Sequence, residues 1–339
     1  MNDTHANLII DLGSGYVKCG FPQQPEPVII PAAFKNPKPG SDRSIFLELD
    51  PGRGAWIFPF ENGMLPTELS DVTQLCNLVL GQFPNMNQQH EKLQLTLLLF
   101  PLLPPDQVTT LCQEVKEALG CLHVEAAIQQ ILSWGYWGRK TALIVDIGYT
   151  STFVTPIYRG FLLDEQIFPL VTGSFFVSAE IRKLLLHKTE TASSELAPSY
   201  NQLAQNGKAI RSIKQSHCQV FPMAVDAVFE DNVDFQFEGV ELPLGPLPWQ
   251  APEVLFQPTL LGVGDKGLTE AIVDVLLRVD TTVRAELASN IVLTGGGSMI
   301  PGLTTRIETD LKSQIPHLFV KVYDLEYPLY SNWLGAAKM

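Results

Sequence analysis

Two short segments of the chain place an aspartate and a glycine directly after an apolar strand. They are Asp11-Leu12-Gly13-Ser14-Gly15 and, 135 residues further along, Asp146-Ile147-Gly148-Tyr149-Thr150. Backbone N–H groups bind phosphate oxygens at close range, and glycine permits that approach because it has no Cβ. A carboxylate at each strand end suits Mg²⁺, which keeps much of its hydration shell. The two segments therefore predict sites for phosphate and for a water-coordinated metal ion.

Other residues near these segments add to the predicted phosphate chemistry. Ser14 contributes a hydroxyl donor and Lys18 a positive charge. A third glycine run, Gly295-Gly296-Gly297, lies between an apolar strand and a helix, a position that accommodates phosphate or ribose. One such hairpin alone is more often an ordinary β-turn. Two at domain spacing together with a third glycine loop favour a nucleotide site.

The elements that position these residues follow from hydrophobic periodicity and turn residues. Strands are predicted at 8–10, 16–21, 93–100, 141–145, 152–157 and 290–294, and helices at 71–82, 105–119, 126–134, 174–186, 202–214, 267–288 (two runs) and 301–313. The polar segment 187–200 is predicted to be a loop. Because the strand–aspartate–glycine–strand arrangement occurs twice, the sequence predicts two similar α/β lobes.

Composition argues against several classes of protein. The length of 339 residues suits two domains, and 45% hydrophobic with 17% charged residues is sufficient for a core. A formal net charge of −13 without a Lys/Arg cluster disfavours direct binding of nucleic acid. Five cysteines without a C-x-x-C pair indicate reduced thiols in a cytosolic or nuclear protein. The most apolar stretch, 93–103, is too short for a membrane span, and the polar residues 1–7 do not resemble a signal peptide.

Four segments resemble signature sequences of the actin family. They are DLGSGYVKCGF (11–21), DIGYTSTFVTPIYRG (146–160), APEVLFQPTLLG (251–262) and NIVLTGGGSMIPG (290–302). They resemble, in that order, the first phosphate loop, the second phosphate loop, an actin signature and the adenosine loop. The resemblance extends over nearly the whole chain. It implies the actin-like ATPase fold, an α/β architecture of two similar lobes with mixed sheets flanked by helices around a central nucleotide cleft.

The resemblance also implies a cofactor, ATP or ADP with Mg²⁺, and assigns residues to it. Asp11 and Asp146 resemble the aspartates that hold the metal through water. Gln129 matches the glutamine that orients the attacking water and is the one implied catalytic residue. Arg211 and Lys214 match residues that lie over the adenosine. The full set implied in nucleotide binding is Asp11, Gly13, Ser14, Gly15, Lys18, Asp146, Gly148, Arg211, Lys214, Gln215, Gly295 and Gly296.

The chain departs from the family at positions that matter for hydrolysis. Tyr149 and Thr150 stand where an acidic residue and a glycine follow the second aspartate, and Phe153 replaces the histidine near the attacking water. Gln215 replaces the ribose glutamate, and Leu329 stands where a lysine is expected. Because a phenyl ring cannot relay a proton and fewer carboxylates order Mg²⁺ less well, we predict slow or absent hydrolysis with nucleotide binding retained. The chain is then at most a weak ATPase.

The lobes are predicted to span 1–138 and 139–325, with a return of the chain to the first lobe over 326–339. The segment 31–59 is shorter than its counterpart in actins, and the sequence ends soon after Gly335, where actins continue. Ordinary filaments need contacts from both ends of the subunit, and both shortened segments belong to such contact regions. The resemblance therefore implies a subunit of a fixed assembly.

Three functions are compatible with these features. The favoured one is an actin-related, nucleotide-binding structural subunit that caps, or is built into, a cytoplasmic cytoskeletal complex together with other actin or actin-related subunits. Tyr149 and the short 31–59 segment resemble the subunit that caps the pointed end of the dynactin mini-filament. A nuclear actin-related subunit of a chromatin-remodelling complex is one alternative. A small-metabolite kinase of the same ATPase superfamily is another, although no aspartate can be assigned as its general base.

Overall fold

A computed structural model describes residues 6–32, 34–35, 56–57, 60, 65–66, 69–83, 92–223 and 233–339. These residues divide into two units. The first runs to Lys140 and includes Leu329–Met339, and the second is Thr141–Pro328. The predicted shortening of the 31–59 segment falls mainly outside the described residues.

The first unit is built on a mixed sheet. Its elements are β1 (Ala6–Leu12), β2 (Tyr16–Gly20), β3 (Val28–Pro31), β4 (Phe34–Lys35), β5 (Trp56–Ile57), α1 (Ser70–Leu80), β6 (Leu93–Leu99), α2 (Pro105–Leu119), β7 (His123–Ile128), α3 (Gln129–Trp137) and α11 (Ser331–Ala337). The main sheet has the order β3-β2-β1-β6-β7. β1 is antiparallel to β2 and parallel to β6, so the aspartate-bearing strand is central. The side chain of Trp333 in α11 is fully buried against Ile9, Leu98 and Leu132.

The second unit repeats this plan. Its elements are β8 (Ala142–Ile147), β9 (Thr152–Tyr158), β10 (Phe161–Leu162), β11 (Phe168–Leu170), α4 (Ser174–Thr191), α5 (Ala197–Gln205), α6 (Gly207–Ser216), β12 (Asp234–Phe237), β13 (Val240–Pro243), α7 (Leu247–Gln250), α8 (Leu268–Arg278), α9 (Thr281–Ala288), β14 (Ile291–Thr294), α10 (Leu303–Gln314) and β15 (Val322–Asp324). The sheet order is β10-β9-β8-β14-β15, with β11 added beside β9. β8 is antiparallel to β9 and parallel to β14. The prediction of an α/β fold with two mixed sheets and flanking helices is confirmed.

The apolar runs of the sequence correspond to the central strands of each sheet. Every residue of β8 is buried, and β14 is buried throughout. A strand that is covered on both faces reads as a continuous apolar run rather than an alternating one. Among the described helices, none is long and apolar enough to cross a membrane.

The predicted helix at 126–134 is partly wrong. Strand β7 continues to Ile128, which pairs with Leu99 of β6, and α3 begins only at Gln129. Ala126 and Ala127 favour a helix by intrinsic propensity, but pairing along the sheet edge outweighs that preference. The change of element places Gln129 at the end of a sheet strand.

The predicted loop at 187–200 is partly wrong, because only residues 192–196 lie outside helices. α4 continues to Thr191, and α5 starts at Ala197. The polar residues of this segment lie on the outer face of helices whose inner residues, such as Tyr200, are buried. The predicted helix at 202–214 is interrupted at Asn206, whose side chain accepts a hydrogen bond from Ala209 N–H and caps α6.

Candidate functional site

The first hairpin brings a carboxylate and an ammonium together. Asp11 and Lys18 are direct cross-strand partners on β1 and β2, which places both side chains on one face of the sheet. Lys18 Nζ lies 3.1 Å from Asp11 Oδ2. Asp11 is fully buried and Lys18 is 9% exposed. The hairpin therefore holds a positive charge in a fixed, largely dehydrated position.

The turn between these strands leaves room for backbone only. A Cβ on Gly13 would lie 2.6 Å from the Tyr16 carbonyl oxygen and 3.1 Å from Lys18 Nζ. The Lys18 ammonium thus lies directly beside the glycine turn. Ser14 is buried in the same turn, and the Gly15 carbonyl accepts a hydrogen bond from Ala32 N–H at 3.0 Å. We call Gly13–Gly15 with Lys18 the first phosphate turn, because its backbone and charge suit an anion.

Gln129 orients the Asp11 carboxylate through a direct hydrogen bond. Its Nε2 donates to Asp11 Oδ1 at 2.7 Å, with the carbonyl oxygens of Leu12 at 3.2 Å and Leu98 at 3.3 Å also in range. Gln129 is 3% exposed. With Oδ1 bonded to Gln129 and Oδ2 facing Lys18, Asp11 fits a metal ion only through water.

The second hairpin has the same register but a different cross-strand partner. Asp146 on β8 faces Phe153 on β9, in the relation that Asp11 has to Lys18 in the first unit. Phe153 is 3% exposed and offers no charge. A Cβ on Gly295, at φ +82°, would overlap Asp146 Oδ1. The second aspartate is therefore flanked by a phenyl ring and a glycine, not by a lysine from its own hairpin.

The loop after Asp146 packs on the N-terminus of α4. Gly148 N–H donates to the Ser151 carbonyl at 2.9 Å. The carbonyls of Gly148 and Tyr149 accept hydrogen bonds from the N–H groups of Ser174, at 3.0 Å, and Phe175, at 2.8 Å. These contacts use two N–H groups at the start of α4, where a helix otherwise leaves them unpaired. We call Gly148–Ser151 the second phosphate loop.

Lys214 extends from α6 to this loop. Its Nζ donates to the Ser174 carbonyl at 3.1 Å and lies 5.7 Å from the centre of the Tyr149 ring. The Tyr149 ring in turn meets the Phe175 ring edge-on, with centroids 5.6 Å apart. Burial, together with a smaller effect of the nearby positive charge of Arg211, lowers the pKa of Lys214 to about 8. The neighbouring Gln215 is exposed.

The third glycine loop follows β14 as expected. Gly295 N–H donates to the Pro328 carbonyl at 2.9 Å, and Ser298 Oγ donates to the Gly295 carbonyl at 2.7 Å. Gly296 begins a short 3₁₀ turn, Gly296–Met299, and is exposed. The loop thus holds the Gly295 backbone close beside Asp146.

The donor set fits a nucleotide better than it fits a directly bound metal ion. Cations and glycine turns suited to phosphate are present in both units. Among the described residues, no cluster of three or more histidine, cysteine, aspartate or glutamate side chains could hold a metal ion. A divalent ion would therefore rely on water and on the ligand itself.

One contact of this site is not apparent from the sequence. The contact of Tyr149 with Phe175 and Lys214 depends on how α4 and α6 pack. In the sequence, only Gly173 hints at the close approach of α4 to the Tyr149 loop. A Cβ at this position would lie 2.6 Å from the Tyr149 carbonyl oxygen, so the approach requires glycine.

Comparison with known proteins gives a consistent result. The family model described as Actin matches residues 2–339. Actin-related protein 2 of Schizosaccharomyces pombe (strain 972 / ATCC 24843) is 26% identical over 364 aligned positions, covering 98% of this chain and 90% of that protein. Actin-related protein 2 of Acanthamoeba castellanii is 26% identical over 335 positions, covering 92% of this chain and 82% of that protein.

Proposed function

This chain belongs to the actin family, and from that premise we propose that it is an actin-related structural subunit that binds ATP or ADP and hydrolyses ATP slowly or not at all. The observation that carries the proposal is the repeated hairpin. Each unit ends a central strand with a buried aspartate and follows it with a turn in which glycine is required, at Gly13 and at Gly148. Such turns present backbone N–H groups to phosphate oxygens.

Weak hydrolysis is supported by the surroundings of the second aspartate. Phe153 lies opposite Asp146 and cannot accept or relay a proton. Tyr149 brings no carboxylate to the second phosphate loop. The Gln129 amide nitrogen is bonded to Asp11, so this side chain acts first as a support for the carboxylate. A bound Mg²⁺ would supply charge stabilisation to the phosphates, while these residues bind and orient the nucleotide.

The assembly role is supported by family membership and by the departures from its pattern. The two relatives compared above are both named as actin-related proteins. We propose a cytoskeletal complex in the cytoplasm as the setting, with actin or actin-related subunits as partners. The narrower proposal, a subunit like the one that caps the pointed end of dynactin, is supported by Tyr149 and by the short 31–59 segment. It is tested by identifying the proteins that co-purify with the chain.

Nucleotide content is the most direct test of the binding proposal. We expect the purified protein to carry about one adenine nucleotide per chain, because two glycine turns, the buried Lys18 and the partly buried Lys214 are preformed. The nucleotide is released by denaturation and identified by ion-exchange chromatography. A protein that is empty, and whose melting temperature magnesium-ATP does not raise, would contradict the proposal.

Hydrolysis is tested by restoring the family pattern in the second loop. The triple variant Tyr149→Asp, Thr150→Gly and Phe153→His is expected to hydrolyse ATP about 10- to 100-fold faster than the natural chain, because a positioned general base contributes about 10²-fold or more. Single-turnover kinetics with radiolabelled ATP measure the rate. The matched control is Phe153→Leu alone, which should leave the rate of ATP hydrolysis unchanged. A natural chain that already matches the restored variant would rule out the proposed weak hydrolysis.

A further inference from the structure

Two threonine hydroxyls on one face of the second unit's sheet are buried without a partner. Thr155 and Thr294 are both fully buried, and among the residues that the structure describes neither Oγ1 has a hydrogen-bond partner. An unpaired buried hydroxyl lowers stability, whereas valine has nearly the same shape and the same preference for a strand without that cost. An unpaired polar group in a folded protein therefore needs an explanation.

The surroundings of the two hydroxyls differ. Thr294 is the last residue of β14, and its direct neighbour on β8 is Asp146, so both side chains lie on the same face at the carboxyl end of the sheet. Thr155 lies further from that end, and its neighbour on β8 is the apolar Ile144. Of the two threonines, Thr294 is therefore the one with a carboxylate on the adjacent strand.

The Asp146 carboxylate is directed towards the end of β14. A Cβ on Gly295, the residue after Thr294, would overlap Asp146 Oδ1. Gly295 is itself held in place, because its N–H donates to the Pro328 carbonyl at 2.9 Å and its carbonyl accepts from Ser298 Oγ at 2.7 Å. The Thr294 hydroxyl and the carboxylate are thus neighbours that make no direct hydrogen bond. Two polar groups in this relation are suited to sharing a water molecule.

We propose that Thr294 is a positioning residue of the second unit's nucleotide site, whose hydroxyl hydrogen-bonds a water molecule that is shared with Asp146 and belongs to the shell of a divalent cation. The inference rests on the nucleotide binding proposed above and adds a residue to its use of metal. Mg²⁺ keeps several of its waters in protein sites, and an ordered water needs two to four polar partners. Asp146 supplies one partner, and the Thr294 hydroxyl supplies another that an aliphatic side chain cannot.

Four variants separate this role from packing. Thr294→Val keeps the shape and removes the hydroxyl, whereas Thr294→Ser keeps the hydroxyl and removes the methyl group. Thr155→Val is the matched control, because it removes the other unpaired hydroxyl, which has Ile144 as its neighbour on β8. Asp146→Asn removes the carboxylate with which the water is shared.

The gain in ADP affinity from the metal is measured by calorimetry, as the ratio of the dissociation constants in EDTA and in magnesium. We expect Thr294→Val to lower this ratio by about 3- to 10-fold, the size of one hydrogen bond, with the dissociation constant in EDTA unchanged within about 2-fold. Thr294→Ser and Thr155→Val should keep the natural ratio. In the Asp146→Asn background, Thr294→Val should lower the ratio no further, because both residues act on one water.

The melting temperature of the nucleotide-free protein in EDTA reports on folding. Because the hydroxyl has no partner among the described residues, Thr294→Val should melt at the natural temperature or above it. A fall of more than about 3 °C would show that the hydroxyl serves the fold and would overturn the proposal, as would a natural ratio in Thr294→Val. A natural chain that binds no ADP in either buffer overturns both proposals, and one that binds ADP equally well in both overturns this one alone.

Discussion

Replacing Lys18 with methionine is expected to weaken ADP binding by about 30-fold or more, the size of effect found when one partner of a buried, hydrogen-bonded charge pair is truncated. Lys18 Nζ is held by Asp11 and lies beside the glycine turn, so it is already oriented towards an anion. Nucleotide binding therefore costs little side-chain entropy at Lys18. The substitution removes a full positive charge from the first unit. Calorimetric titration with ADP gives the affinity directly.

The same substitution leaves the buried Asp11 carboxylate without its ammonium, which lowers stability independently of binding. The double variant Asp11→Asn with Lys18→Met separates these effects, because it contains no unpaired charge. We expect the double variant to recover most of the melting temperature but none of the affinity. Lys312→Met, on an exposed pair with Glu308, is the matched control and should leave affinity unchanged. Recovered affinity in the double variant would show that Lys18 acts through folding alone.

The hairpins that carry the site were predictable from the sequence because they repeat. Asp11 and Lys18 are seven residues apart, and so are Asp146 and Phe153. In a two-stranded hairpin with a short turn, that spacing brings the two residues opposite each other, and the structure has both pairs in register. The absence of a positive charge opposite Asp146 was therefore visible in the sequence, because Phe153 stands where the first hairpin has Lys18.

The environment of Tyr149 was not predictable in the same way. Lys214 is 65 residues away in the chain, and its contact with the ring depends on the packing of α4 against α6. Periodicity identifies the buried face of each helix but not the neighbour of one side chain at its end. The predicted start of α3 was wrong for a related reason. The parallel pairing of β7 with β6 outweighs the helix preference of two alanines.

Replacing Arg306 with methionine is expected to destabilise the second unit by about 3 to 5 kcal/mol, the cost of breaking a buried ion pair from one side. Arg306, on α10, is 3% exposed and donates to both oxygens of Glu253, at 2.8 and 3.2 Å. Its Nε donates to Asp310 at 2.9 Å, and its guanidinium lies 4.3 Å from the centre of the Phe256 ring. Methionine fills the space but leaves the Glu253 carboxylate buried and unpaired. Urea unfolding monitored by circular dichroism measures the loss.

This pair joins one actin-like segment, 251–262, to the helix that follows another, 290–302. Glu253 belongs to the APEVLF segment, and Arg306 lies on the helix that follows the third glycine loop, so the ion pair ties that loop to the second unit's core. The double variant Glu253→Met with Arg306→Met removes both charges and should recover most of the lost stability. Arg306→Lys keeps a charge but not the two-pronged geometry and should fall between them. If Arg306→Met lowers the free energy of unfolding by less than about 1 kcal/mol, the level of an exposed ion pair, the pair with Glu253 does not hold the third glycine loop in place.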